Sequence, residues 1–184
     1  MPSRDDWIQA GLRALADGGE QTIRVDPLAA ALGVTKGSFH HHFRGAGALR
    51  EAVLEAHERS QAELVEAVTA EVDGLEASDA IARLGALVAR VPDDGLERAV
   101  RAWAATDEAA ASVQARIDGG RLAALEALWR RAVPAADART AALVPLLVLI
   151  GASASTVASR ADLESVLSML AGLAQHVPAA VAER

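Results

Sequence analysis

Apolar residues recur at three- and four-residue intervals along nearly the whole chain, the spacing of one helical face rather than the alternation of a strand. Over residues 4–17, Ile8, Gly11, Leu12 and Leu15 share one side, and Gly18 with Gly19 ends the run. Residues 22–54, TIRVDPLAAALGVTKGSFHHHFRGAGALREAVL, hold two short helical patterns around a glycine. In the first, Asp26 is expected as N-cap with Pro27 at the first helical position, where its missing N–H costs nothing, and Leu28, Ala29 and Leu32 form the apolar face. Gly33 tolerates the left-handed backbone of a tight helix exit, Val34 packs beneath the turn, and Thr35 is expected to cap the next helix through its hydroxyl. In that next helix Phe39 and Phe43 lie four residues apart and share a buried face, leaving Lys36, Gly37, Ser38, His40 and His41 on or near the other. A short helix, a glycine turn and a second short helix with an outward polar set is the pattern of a DNA-reading helix-turn-helix.

A fourth helix is predicted from near residue 47 to about 72, with Leu49, Val53, Ala56, Ser60, Leu64 and Val68 along one stripe. Beyond Gly74, Ser78 is placed to cap a helix reaching about residue 90, Pro92-Asp93-Asp94-Gly95 breaks it, and another begins at Leu96. Residues 109–132 supply one long helix across Gly119 and Gly120; Asp137 caps a very apolar helix, and a last helix covers about 162–176, ahead of Pro178. No useful strand-like alternation, internal repeat or low-complexity tail is present. The expectation is an all-α chain of about nine helices, with a three-helix helix-turn-helix domain over residues 1–46 and a larger helical domain over 47–184.

The run LAAALGVTKGSFHHHF, preceded by an N-terminal helix ending in DGG and followed by Leu49 and a long helix, resembles the TetR/AcrR-family transcriptional regulators. The likeness covers roughly the first quarter to third of the chain, and the remainder agrees in layout, as expected where a ligand domain diverges with its ligand. Two departures fall on habitual phosphate contacts: His40 stands where the family usually carries tyrosine, and Ala46 where it carries a lysine near the start of the fourth helix. His40 can still donate a hydrogen bond to a phosphate, and Arg44 can replace the lost charge. Arg24 occupies the place of a threonine that often caps the second helix, a role left to Asp26.

The resemblance implies a DNA-binding regulator, in its commoner form a repressor relieved by a small-molecule effector, acting on a palindromic double-stranded operator. Thr35, Lys36, His40, His42 and Arg44 would hold phosphates, while Gly37, Ser38 and His41 approach base edges. It further implies a homodimer through the last two long helices, where residues 141–158 are apolar on too many sides for a surface helix and Leu163, Val166, Leu167, Leu170 and Leu173 follow. Periodicity alone leaves a wholly intramonomer core open as the other reading of those helices.

Composition narrows the classes. Apolar residues make up 52% of the 184, yet aromatics are 3% and tyrosine is absent, so packing rests on Ala, Leu and Val. The lack of cysteine removes disulfides, thiolate nucleophiles and cysteine metal sites, and fits a reducing compartment. The opening MPSRDDWIQAGLRAL has acidic residues where a signal peptide has a basic region. The apolar run 141–152 is interrupted by Pro145 and is shorter than the about 20 residues a bilayer span needs, so a soluble cytoplasmic protein without membrane partner is expected. The net charge of −7 divides unevenly: residues 1–50 hold six Lys/Arg against five Asp/Glu, and residues 51–184 hold twelve against twenty. Acid in the body repels the phosphate backbone and turns the reader toward it. Lys36 is the only lysine, at the start of the reading helix, and so small a basic patch predicts a modest salt dependence.

Competing chemistries fare worse. His40-His41-His42 point about 100° apart on a helix, whereas chelation wants neighbours at i+3 or i+4. His57-Glu58 is followed by Gln61 rather than a second histidine, and Gly151-Ala152-Ser153-Ala154-Ser155 lacks the closing glycine of a hydrolase elbow. With no nucleophile–base pair, cofactor loop or metal set, neither an enzyme nor a cofactor is expected; the alternative is a helical protein-interaction module. Trp103 and Trp129, with Arg101 and Asp107, form a candidate effector-binding set, since a tryptophan face with a few polar groups suits an aliphatic cavity; tryptophans as plain core residues is the equal alternative.

Overall fold

Ser3 opens the first helix with a reciprocal cap: its hydroxyl accepts the Asp6 N–H at 3.2 Å, while its own N–H donates to the Asp6 carboxylate at 2.6 Å. From there the computed structural model describes residues 2–89 and 95–174 as helices α1 (Arg4–Gly18), α2 (Val25–Ala31), α3 (Lys36–His40), α4 (Ala46–Val72), α5 (Ala77–Ala89), α6 (Leu96–Ala104), α7 (Glu108–Trp129), α8 (Ala135–Ala154) and α9 (Arg160–Ala174). A single 3₁₀ turn, Glu20–Thr22, follows α1, and no strand occurs among the described residues. The break expected at Pro92, Asp93 and Asp94, and the helix end expected at His176 before Pro178, lie outside the described residues.

The expected helices are present, but four of the capping assignments are corrected. Asp26 is not the N-cap of α2: Arg24 holds that position with extended backbone and no side-chain bond, which puts Asp26 inside the first turn. Asp137 likewise lies within the first turn of α8 behind Pro134, and Ser78 within that of α5. A cap must precede the first helical residue, and a residue one place further on has already wound its backbone. Thr35 does stand at the N-cap of α3, yet its hydroxyl makes no capping bond. The side chains that do cap are Ser3, Asp107, whose carboxylate accepts the Ala110 N–H at 2.9 Å, and Ser159, whose hydroxyl accepts the Asp162 N–H at 3.2 Å.

The chain forms two compact units. The first, Met1–Gln61 with Asp93–Ile117, is built on one core. Trp7, Ile8 and Leu15 of α1 meet Ile23, Leu28, Phe39, Phe43, Leu49 and Val53, and Val100, Trp103, Ala110, Val113 and Ile117 complete it. Each large side chain fully buried there contributes roughly 1.5–3 kcal/mol. Helix α1 packs against α6, where Gly95 turns the chain with φ +77° so close to α1 that an added Cβ would stand 3.3 Å from the Ala16 carbonyl oxygen. The first turns of α4 bury Leu49, Ala52, Val53, Leu54 and His57; the predicted stripe is interrupted at Ser60, which is exposed, and resumes with half-buried Leu64 and Val68 and buried Val72.

The second unit, Ala62–Pro92 with Asp118–Arg184, has two smaller clusters. One gathers Val72, Ala80, Ile81 and Leu128 beside Trp129; the other gathers Leu125, Ala142 and Leu146 beside Leu122 and Ile150. Helix α5 packs along α9, and α8 also touches α9. Helix α8 is longer than the apolar run had suggested. Its 20 residues, Ala135–Ala154, are long and apolar enough to cross a membrane by length and composition, because alanines extend the run and Pro145 is accommodated within the helix.

Candidate nucleic-acid interface

The turn between α2 and α3 is closed by backbone alone. Gly33, at φ +67°, donates its N–H to the Ala30 carbonyl at 3.1 Å, and Val34 donates to Ala29 at 3.0 Å, the paired bonds of a Schellman helix end. Val34 then packs on the core and Thr35 leads into α3. The regular helix is only five residues long, but the chain stays wound beyond it, since the His42 and Phe43 N–H groups both donate to the Phe39 carbonyl, at 2.9 and 3.0 Å.

Aromatic contacts fix this segment from behind. Phe39 and Phe43 stack with centroids 5.4 Å apart, Trp7 meets Phe39 edge-on at 5.3 Å, and the Arg4 guanidinium lies 5.0 Å from the Phe43 ring. Trp7, wholly buried, is a member of this anchor that helical periodicity around Ile8 and Leu15 did not single out. With the two phenylalanines inward, Thr35, Lys36, Gly37, His40, His41 and Arg44 are exposed and His42 is half-buried.

Ser38 departs from the expected outward set. It is 8% exposed, and its hydroxyl makes no hydrogen bond. It is buried together with its neighbour Phe39 on this short helix. Lys36 is paired: its Nζ lies 2.7 Å from Asp26 Oδ1, with both side chains largely in solvent. A second pair, Arg50 with Glu20 at 3.5 Å, ties the first turns of α4 to the 3₁₀ turn.

Three of the candidate effector residues have structural partners. Arg101 is ion-paired with Glu97 at 2.7 Å, Trp103 is 6% exposed within the first core, and Asp107 caps α7. Trp129 belongs to the second unit. Near Arg101 the structure adds Gln114, buried on α7, whose amide donates to Glu97 at 3.4 Å. A bidentate pair joins α4 to α7, with Arg116 Nε 2.6 Å from Glu58 Oε1 and Nη2 2.7 Å from Oε2. That bonding holds the Glu58 carboxyl below its usual range and raises the Arg116 guanidinium. Both members are polar residues far apart in sequence, and only a buried glutamine or histidine in an apolar register could have drawn attention to this side of α4 and α7. Among the described residues no three His, Asp or Glu side chains gather as a metal site.

No family model matches the chain. It is similar to the transcriptional regulator AcuR of Cereibacter sphaeroides, 36% identical over 91 residues, a stretch that takes in 50% of this chain and 39% of that protein. Among solved structures it resembles a transcriptional regulator from Rhodococcus sp. Rha1, with a TM-score of 0.74 and 20% identity over 95% of this chain and 97% of that one. It also resembles a protein described as a TetR-family regulator from Rhodococcus sp., at TM-score 0.67 and 22% identity over 95% and 97% of the two chains. A further one, from Mesorhizobium loti MAFF303099, stands at 0.69 and 19% over 95% of each. The helix-turn-helix, its aromatic anchor and the helices around it thus make up the all-α fold of the TetR-family transcriptional regulators.

Proposed function

We propose that this chain is a DNA-binding transcriptional regulator, a repressor whose operator affinity is changed by a small-molecule effector, with residues 1–46 as reader and 47–184 as the effector-binding and dimerising body. The observation that carries the reading is the outward polar face of α3 and its exit, held from behind by Phe39, Phe43 and Trp7. On it Thr35, Lys36, His40, His42 and Arg44 hold phosphates, while Gly37 and His41 approach base edges; Ser38, being buried, is left out.

Two copies are required to read a palindrome, with half-sites about 34–36 Å apart. The dimer surface proposed is the side of α8 and α9 that exposes Val144, Leu147, Met169 and Leu173, supported by the apolar character of α8, of whose described residues Ala138, Ala142 and Leu146 are the buried ones. An effector that shifts α4 changes the spacing of the two readers and with it the affinity. Selection from random duplexes is expected to yield a palindrome, and Lys36→Ala to weaken binding to all sequences alike. Retention on duplex DNA that does not respond to salt, or an unchanged affinity in Lys36→Ala, would favour a helical protein-interaction module instead.

A further inference from the structure

We propose that Asp26 sets the affinity of the DNA-contact surface by occupying Lys36 in the free protein, so that a phosphate must displace a carboxylate before this lysine can serve. The inference rests on the reading of α3 as the DNA reader. Lys36 is the only lysine of the chain, and its ammonium sits 2.7 Å from Asp26 Oδ1. The pair is not needed to hold the two helices together. Both side chains are more than half exposed, at 62% and 64%, and the α2–α3 joint is already closed by the Gly33 and Val34 backbone bonds and by the core that Leu28 and Ala29 share with Phe39. Asp26 does not cap α2 either, because Arg24 occupies that position.

What remains for Asp26 is electrostatic. Its charge stands beside the lysine on the side of the molecule that would face the phosphate backbone, within a segment where six cations barely exceed five anions. A lysine already neutralised releases little counterion when it meets a phosphate. The pairing therefore keeps non-specific binding weak, leaving affinity to depend on the contacts that read sequence.

The test compares wild type, Asp26→Asn, Lys36→Gln and the double variant for binding to a mixed-sequence duplex and to a selected operator, across a salt series. Asp26→Asn is expected to bind the mixed duplex about three- to tenfold more tightly, with a salt slope steeper by about one per monomer, and this gain is expected to vanish in the Lys36→Gln background. An equal gain in both backgrounds would mean that Asp26 acts by plain repulsion, and an unchanged affinity that it does not act; either overturns the proposal. Since the chain has one lysine, labelling lysine with 15N yields a single side-chain signal, expected to move on Asp26→Asn without DNA and on duplex addition to wild type. A signal indifferent to Asp26→Asn overturns the pairing even where affinity changes. If wild type shows no salt-dependent duplex binding while the lysine signal still responds to Asp26→Asn, the DNA reading fails and the ion pair stands. Thermal melting of Asp26→Asn, with Asp26→Ser as a second variant, separates these effects from loss of fold.

Discussion

Gly11 of α1 lies so close to Val53 of α4 that a methyl group on it would stand 2.6 Å from Val53 Cγ2. Val53 is wholly buried, so the overlap cannot be relieved by swinging into solvent. Gly11→Ala gains up to about 1 kcal/mol of helix propensity, but crowding a packed core costs about 1–3 kcal/mol. The net is expected to be destabilising in chemical denaturation, and Val53→Ala in the same chain is expected to restore part of it. Greater stability in Gly11→Ala alone would show that the two helices can part.

The Glu58–Arg116 pair predicts a pH response. Bonding to Arg116 lowers the folded-state pKa of Glu58, so its contribution is present above the unfolded carboxylate pKa and is lost as pH falls through the lower folded value. The denaturation midpoint of wild type is expected to fall on acidification below the ordinary glutamate range, with Glu58→Gln lacking that portion of the fall. Both side chains are partly exposed, so high salt should shrink the difference. Identical acid profiles for the two proteins would contradict the clamp.

Phe39 and His41 sit two residues apart and are expected to fail in opposite ways. Phe39 is wholly buried against Trp7 and Phe43, and Phe39→Ala is expected to cost about 3–5 kcal/mol of stability, taking duplex binding with it. His41 is exposed, and His41→Ala is expected to leave stability within about 0.5 kcal/mol while narrowing the preference for a selected operator over a mixed duplex. Melting curves beside competition binding distinguish the two; an operator preference untouched by His41→Ala would remove this residue from the base-reading set.

The exposed side of α8 and α9 predicts assembly. Leu147 and Met169 are 60% and 59% exposed, and a charge at either would be buried unpaired in a dimer. Leu147→Glu and Met169→Glu are expected to shift sedimentation toward monomer and to weaken operator binding more than binding of a single half-site. A wild-type chain that sediments as monomer at micromolar concentration would exclude this surface as a standing interface.

Much of the helix-turn-helix was readable because it is local. Gly33 is a helix exit by virtue of its missing Cβ, and Phe39 with Phe43 share a face at any four-residue spacing in a helix, so the inward side of α3 followed from adjacent residues. Caps were less readable. Asp26, Ser78 and Asp137 have suitable side chains, but a one-residue shift in where the helix begins turns a cap into a first-turn residue, and side-chain type does not register that shift. Ser38 was misplaced for a related reason: its chemistry suits an outer face, and its burial is set by the packing around α3 and not by its type.

By itself the order of residues determined helices, their approximate limits and the uneven charge of residues 1–50 and 51–184, because these depend on spacing within one or two turns and on counting. Tertiary structure decided which residues meet across long separations: Trp7 on Phe39, Gly11 on Val53, Glu58 on Arg116, Asp26 on Lys36. Such meetings are set by how helices pack, and a periodic pattern says which side of a helix is turned inward without saying what it is turned toward.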